Sequence, residues 1–243
     1  MQLNSRPIVV SLYSSHDYYR EAAERLRADC NRLNIESDIV ELAGSGDKDW
    51  ISICRAKVPF FLEMFDKHER PILWLDADSR LRDWPVVFDG LRCDLAGFLR
   101  GLRYLRDFDP VALPRFFAPF ALFFGASPAA RAFLETMVEL ERGFTDAATD
   151  DYFLEQAWRE HERQLAIAVL PPSLVDKDWP PAAGAPIHVG VSGNVTTHKS
   201  NAQQHVAPLH EAARRRAMLL SEAGLARKAG QPNDALVLYR RAA

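Results

Sequence analysis

Two hydrophobic periods alternate along the first third of the chain. Apolar runs and one alternating stretch predict strands over residues 8–13, 35–42 and 72–75. Between them, apolar residues recur at helical spacing and predict helices over 18–33 and 59–68. This order of strands and helices indicates parallel crossovers, so we expect an α/β fold with a mainly parallel central sheet and helices on both faces.

The middle of the chain continues the same order. Further strands are predicted over 95–99, 120–124, 165–170 and 187–191, and helices over 129–141 and 150–161. The sheet should then contain about six or more strands. The proline-rich residues 171–186 predict a surface loop. Beyond residue 205 the pattern is helical, so we expect an α/β domain over 1–205 and a helical hairpin over 206–243.

Two carboxylates end the third predicted strand. Asp76 and Asp78 follow the apolar run 72–75 directly. In extended backbone, residues two apart point to the same side, so the two acids can converge while Ala77 turns away. Hard oxygen donors suit Mg²⁺ or Mn²⁺, which favour carboxylates together with substrate phosphate oxygens. We therefore expect a cation site for a phosphorylated substrate.

Composition limits the other functions that the chain can have. A formal net charge of −3 over 243 residues argues against binding to nucleic acid. The three cysteines lack a C-x-x-C pair, which argues against a disulfide framework or a structural zinc site and favours a cytoplasmic location. No signal peptide is recognisable, and no apolar run is long enough to span a membrane.

Several segments together carry a recognisable set of motifs. They are Tyr13 with Tyr18 and Tyr19, Trp50 with Lys57 and Pro59-Phe60-Phe61, the strand Ile72-Leu73-Trp74-Leu75-Asp76-Ala77-Asp78, then Phe123-Phe124-Gly125-Ala126, and Asp150-Asp151-Tyr152-Phe153-Leu154. In this order they resemble the nucleotide-diphospho-sugar transferases of the GT-A fold, the Asp-x-Asp glycosyltransferases, over residues 1 to about 200. The resemblance implies a Rossmann-like GT-A domain.

The resemblance also implies roles at a metal and donor site. Asp78 would be a direct ligand of Mn²⁺ or Mg²⁺, and Asp76 would share the metal or contact the ribose. His188 in the last strand would complete the metal site, and His198 on the following loop is the competing candidate. Both histidines also have an ordinary structural explanation, His188 as a partly buried residue bonded to backbone and His198 as a surface residue.

Five further residues are predicted to bind or act on the substrates. Lys57 would offer its charge to the nucleotide, or be an ordinary solvated lysine at a helix start. Tyr13 is expected to contact the donor, and Lys199 to close over the diphosphate, unless it is a surface lysine. By resemblance, Asp150 faces the donor sugar or acceptor, and Asp151 stands where the family has a glutamine. Both acids could instead be caps of the helix that they open.

The C-terminal 212–243 segment resembles one tetratricopeptide repeat, with small residues at the close contacts and a turn at 230–233. Because one repeat buries little, it should pack on the domain, meet another protein or a second copy, or belong to a longer array.

The predicted function is metal-dependent transfer of a sugar from a nucleotide-diphospho-sugar to a saccharide, protein or small-molecule acceptor, with the resemblance favouring retention. One alternative is a phosphatase of the haloacid dehalogenase type, with Asp76 as nucleophile, although Arg80 stands where its motif has Thr or Val. Another is a non-catalytic scaffold that recruits partners through the repeat.

Overall fold

The computed structural model of the protein describes residues 6–46, 48–99, 117–145, 148–177 and 184–189, and two β-sheets organise this part of the chain. In chain order the elements are β1 (Ile8–Ser14), α1 (Asp17–Arg32), β2 (Ser37–Leu42), α2 (Trp50–His68), β3 (Ile72–Leu75), β4 (Ser79–Leu81), α3 (Val87–Gly90), β5 (Leu95–Leu99), β6 (Phe117–Phe124), α4 (Pro128–Gly143), α5 (Asp150–His161), β7 (Ile167–Val169), β8 (Val175–Lys177) and β9 (Ile187–Val189).

The central sheet has six strands in the order β2-β1-β3-β6-β5-β7. Strand β1 pairs in parallel with β2 and β3, and β5 pairs in parallel with β7. Strand β6 runs antiparallel to both of its neighbours, β3 and β5. The predicted α/β class, with a mostly parallel sheet and helices on its faces, is therefore confirmed for the described residues.

Each face of the central sheet builds its own hydrophobic core. Trp74 on β3 packs on one face with Phe61 of α2, Phe133 of α4 and Phe153 of α5. Its neighbours in sequence, Leu73 and Leu75, face the other side, where α1 and the second sheet cover them. Because successive side chains of a strand alternate between faces, a strand covered on both faces must be apolar throughout. This explains the continuous apolar run that ends in Asp76.

The second sheet, in the order β4-β9-β8, was not predicted from the sequence. Its strands have only three residues each, and β4 and β8 are mixed in polarity, so no period can be recognised. The predicted loop 171–186 in fact contains β8 and a 3₁₀ turn, Pro172–Leu174, within its described part. Asp29 of α1 joins this sheet to the domain, because it accepts hydrogen bonds from the Arg80 side chain and the Leu81 N–H.

Helix α2 begins nine residues earlier than the sequence pattern indicated. Asp49 is its N-cap and accepts a hydrogen bond from the Ser52 N–H at 2.8 Å. Pro59 lies inside the helix, although proline typically marks a helix start. The prediction was wrong because Pro59 and the aromatic pair after it dominated the local pattern. The correction places Lys57 in the middle of a helix.

The remaining sequence predictions have mixed outcomes. The three cysteines are free thiols, as expected. No helix within the described ranges is long and apolar enough to cross a membrane. The boundary near residue 205 and the repeat-like hairpin lie outside the described residues.

Candidate active site

The turn between β3 and β4 carries the two acids at the carboxyl end of β3. The Asp76 N–H donates to the Phe120 carbonyl at 2.8 Å, and the Ser79 N–H donates to the Asp76 carbonyl at 2.9 Å. Asp76 and Asp78 are partly exposed, whereas Ala77 between them is buried. The burial pattern agrees with the expected alternation of the three residues. Ligands of open α/β sheets bind at this edge.

Lys57 of α2 contacts the first of these acids. Its Nζ donates a hydrogen bond to Asp76 Oδ1 at 2.7 Å and lies 3.7 Å from Asp150 Oδ2. The ammonium also lies 5.3 Å from the centroid of the Trp74 ring, and the side chain is 14% exposed. The alternative of a solvated lysine is therefore wrong. Burial alone would lower the pKa of Lys57, but the charges of Asp150 and Asp76 outweigh it and raise the pKa well above the ordinary value.

Asp150 opens α5 inside the domain. It is 4% exposed, and within the described part of the chain its Oδ2 accepts no hydrogen bond. Burial raises the pKa of Asp150 to about 6, with Lys57 opposing the shift and the negative charges of Asp151 and Asp76 adding to it. A carboxylate that is buried and paired with a lysine does more than cap a helix. Its catalytic role stays a prediction.

Asp151 is buried beside Asp150 and has a different partner. Its Oδ1 accepts a hydrogen bond from the hydroxyl of Thr149, the N-cap residue of α5. In the first turn of a helix a carboxylate also interacts favourably with the helix dipole. The structure therefore separates the two acids: Asp150 meets Lys57, and Asp151 meets Thr149.

Two tyrosines at the start of α1 lie near Asp78. Burial and the negative charge of Asp78 raise the pKa values of both Tyr18 and Tyr19. Their rings meet edge to face with centroids 5.1 Å apart. The sequence showed them only as part of the family resemblance and assigned them no role. A pair of aromatic residues just after a strand that borders the Asp-x-Asp strand was the available signal.

Tyr13 lies near the carboxyl end of β1, the strand that pairs in parallel with β3, and Lys199 and His198 lie outside the described residues. Tyr13 is half-buried against the core cluster on the α1 face, whereas Trp74, over which Lys57 lies, belongs to the cluster on the opposite face. The donor contacts of Tyr13 and Lys199 stay predictions.

His188 occupies the centre of β9 in the second sheet. It stands opposite Arg80 of β4 and Asp176 of β8, and its Nδ1 is hydrogen-bonded to Asp176 Oδ1. Among the described residues, no three His, Cys, Asp or Glu side chains are grouped to hold a metal ion. The hydrogen bond to Asp176 uses only Nδ1 of His188, and a carboxylate partner on one ring nitrogen is also common among histidines that bind a metal through the other. The role of His188 as a metal ligand therefore stays a prediction.

The acids of the β3–β4 turn nevertheless have suitable chemistry for the predicted cation. Mg²⁺ is commonly bound through one or two carboxylates, with water and substrate phosphate oxygens completing its shell. Asp78 and Asp76 match that donor set, although Asp76 would share its carboxylate between the ion and Lys57. Mn²⁺ or Mg²⁺ therefore stays a prediction, with Asp78 as the first ligand.

The described fold is that of glycosyltransferases whose structures have been solved. One is a glycosyltransferase involved in the glycosylation of the major capsid of PBCV-1, with a TM-score of 0.56 and 12% identity over 80% of this chain and 100% of that one. Another is glycosyltransferase GlyE of Streptococcus pneumoniae TIGR4, with 13% identity and TM-scores of 0.51 for the apo form and 0.50 for a second structure. That similarity covers 78% of this chain and 55% of GlyE. No family model and no curated protein sequence matches the chain.

Proposed function

We propose that this protein is a glycosyltransferase that moves a sugar from a nucleotide-diphospho-sugar to a saccharide, protein or small-molecule acceptor. The observation that carries the proposal is the group of Asp76, Lys57 and Asp150 at the carboxyl end of β3. It combines a buried lysine and a buried acid with the Asp-x-Asp turn. The group lies in a fold that solved glycosyltransferases share.

The diphosphate end of the donor is assigned to the β3–β4 turn. When bound there by Asp78 and Asp76, a divalent cation would neutralise the charge that grows on the departing nucleoside diphosphate. Asp76 then holds either this cation or a ribose hydroxyl, and Tyr18 and Tyr19 border Asp78 on the α1 side. These residues bind and orient the part of the donor that leaves.

Asp150 is assigned to the sugar. Glycosyl transfer develops positive charge around the anomeric carbon, and a carboxylate nearby stabilises that charge. Asp150 is buried, so water screens its charge little. It can orient a sugar hydroxyl in the ground state and stabilise the transition state. Retention of the anomeric configuration is the outcome that the family resemblance favours.

The first test of this proposal is nucleotide binding. We expect one of UDP, GDP and CDP to bind with Mn²⁺ far more tightly than without it, as measured by titration calorimetry. Even groups that only orient metal ligands are worth about 10–100-fold in metal affinity. Asp78→Asn should therefore weaken binding with Mn²⁺ by at least about 100-fold, because it removes the charge of the first ligand.

Asp66→Asn is the matched control. Asp66 lies near the end of α2 and pairs with Arg131 at the surface, with both side chains about half exposed. This variant should bind nucleotide like the wild type. Binding that is indifferent to Mn²⁺, or an Asp78→Asn variant with unchanged affinity, would contradict the proposal. Saturable release of inorganic phosphate from phosphate monoesters, without nucleotide binding, would favour the phosphatase instead.

A further inference from the structure

Lys57 lies between two carboxylates at unequal distances. Its Nζ is 2.7 Å from Asp76 Oδ1 but 3.7 Å from Asp150 Oδ2. The shorter distance is a hydrogen bond, and the longer one exceeds hydrogen-bond range while leaving an ion pair. An ammonium carries three N–H donors, so Lys57 can turn a donor towards either acid. In this structure it hydrogen-bonds Asp76.

A hydrogen bond from Lys57 would stabilise the Asp150 carboxylate more than it stabilises that of Asp76. The carboxyl group is buried, and within the described ranges its Oδ2 accepts no hydrogen bond. A buried oxygen without a hydrogen bond carries a desolvation cost. Asp151 is itself an acid and already accepts from Thr149, so it does not meet this need when ionised. Lys57 could do so by moving about 1 Å, because charge-assisted hydrogen bonds span about 2.7–2.9 Å.

Asp76 attracts Lys57 strongly only while no other positive charge neutralises the Asp76 carboxylate. The attraction between two opposite charges falls when a third charge neutralises one of them. In the proposed function, the donor or its cation engages Asp76 and does this. The four-carbon stem of lysine is flexible, so the ammonium can move between the two carboxylates, and the Trp74 ring centroid lies 5.3 Å from it in this structure.

We propose that Lys57 changes its hydrogen-bond partner from Asp76 to Asp150 when the sugar nucleotide engages Asp76, and so orients the Asp150 carboxylate for reaction. The inference rests on the proposed function, because the donor is the trigger. Lys57 is then a positioning residue that acts through Asp150. In the donor-free protein Asp150 Oδ2 has the ion pair alone among the described residues, and donor binding gives it a hydrogen bond.

The charged and titratable groups around Asp150 determine how its pKa should respond when Lys57 changes partner. Lys57 and Cys54 face it from α2, Asp76 from the β3–β4 turn, and Asp151 from its own helix. Among these groups only Lys57 is a cation. A closer Lys57 should therefore favour the ionised form and lower the pKa of Asp150.

The first experiment imitates donor binding without a ligand. Asp76→Asn removes the charge that holds Lys57 and keeps the side-chain shape. Its crystal structure should show Lys57 Nζ within about 3.0 Å of Asp150 Oδ2. The pKa of Asp150, followed by carbon-13 NMR of the carboxyl group, should fall from about 6 to below about 5. Asp38→Asn is the control. Asp38 pairs with Lys67, an exposed lysine on α2, the helix that also carries Lys57. This variant should leave the pKa of Asp150 unchanged.

A second variant separates a change of partner from the simple loss of a negative charge near Asp150. If Lys57 moves, Asp76→Asn should lower the pKa of Asp150 much less in a Lys57→Met background than alone. An equal decrease in both backgrounds would overturn the inference. The crystal structure of the single variant Asp76→Asn gives a second way to overturn the inference. It would do so if Lys57 still contacted residue 76 and its Nζ still lay about 3.7 Å from Asp150 Oδ2. This result does not require the double variant to fold.

Donor coupling is tested separately with Mg²⁺ and whichever nucleoside diphosphate binds in the calorimetric experiment. The pKa of Asp150 should fall when this pair is added to the wild type. If the pair binds and the pKa stays the same, the partner change is overturned while the proposed function stands. If no nucleoside diphosphate binds, the proposed function and the donor trigger fail together, and Asp76→Asn still decides whether Lys57 can change partner.

Discussion

Gly125→Ala is expected to unfold the protein or to lower its free energy of unfolding by more than about 3 kcal/mol. A Cβ atom at this position would lie 2.1 Å from the backbone carbonyl oxygen of Cys93. The obstacle is main chain, so no side-chain rotation relieves it. The Gly125 N–H also donates to the Asp94 carbonyl at 2.9 Å, which holds the ends of β6 and β5 together. Urea unfolding followed by circular dichroism measures the loss.

Gly143→Ala is the control for this substitution. Gly143 ends α4, and a Cβ there meets nothing within 4 Å. Alanine is the better helix former by up to about 1 kcal/mol, so this variant should be as stable as the wild type or slightly more stable. A Gly125→Ala protein within about 1 kcal/mol of the wild type would show that β5 and β6 can separate easily, against the close approach in the structure.

Lys57→Met should cost about 3 kcal/mol of unfolding free energy near neutral pH. The substitution keeps most of the apolar stem but leaves Asp76 and buried Asp150 without their shared cation. Removing one partner of a buried ion pair is far more costly than removing both. Lys67→Met, on the same helix, is the matched control. Lys67 pairs with Asp38 at the surface, and its loss should leave the stability close to that of the wild type.

The cost of Lys57→Met should also depend on pH. The pKa of Asp150 is raised to about 6 in the folded protein. Between the ordinary aspartate pKa and about 6, the native state therefore binds more protons than the unfolded state. The free energy of unfolding falls as pH rises through that window. Lys57 opposes this shift, so its removal extends the fall to higher pH. The difference from the wild type should be larger near pH 8 than near pH 5. A difference that is constant over this range would show that Lys57 does not act on Asp150.

Much of the fold could be predicted from local patterns. The strand 95–99 and the helix 150–161 agree with the structure at both ends. The helix shows an apolar face of regular period, and the strand is apolar throughout because both faces of the sheet are covered there. Strands β4 and β8 could not be predicted, since three residues are too few to show a period. The start of α2 was predicted at Pro59, nine residues too late. A local pattern does not show whether a proline begins a helix or lies inside a longer one.

Gly125 shows at a single residue the difference between what the local sequence indicates and what the tertiary structure explains. The sequence drew attention to it only as part of Phe123-Phe124-Gly125-Ala126, one of the motifs that resemble the GT-A glycosyltransferases. In the structure its identity is explained by the approach of the Cys93 carbonyl, whose residue lies in another part of the chain. A requirement set by a contact so distant in sequence leaves no local signal.

By itself the sequence determined the buried strand, the two acids at its end and the α/β class, because alternation, burial and turn chemistry are local properties. Only the tertiary structure decided which side chains meet. It placed Lys57 between Asp76 and Asp150, and His188 beside Asp176 in a second sheet. The physical reason is that ion pairs form between residues far apart in sequence when folding buries them together, and residue spacing alone does not specify those partners.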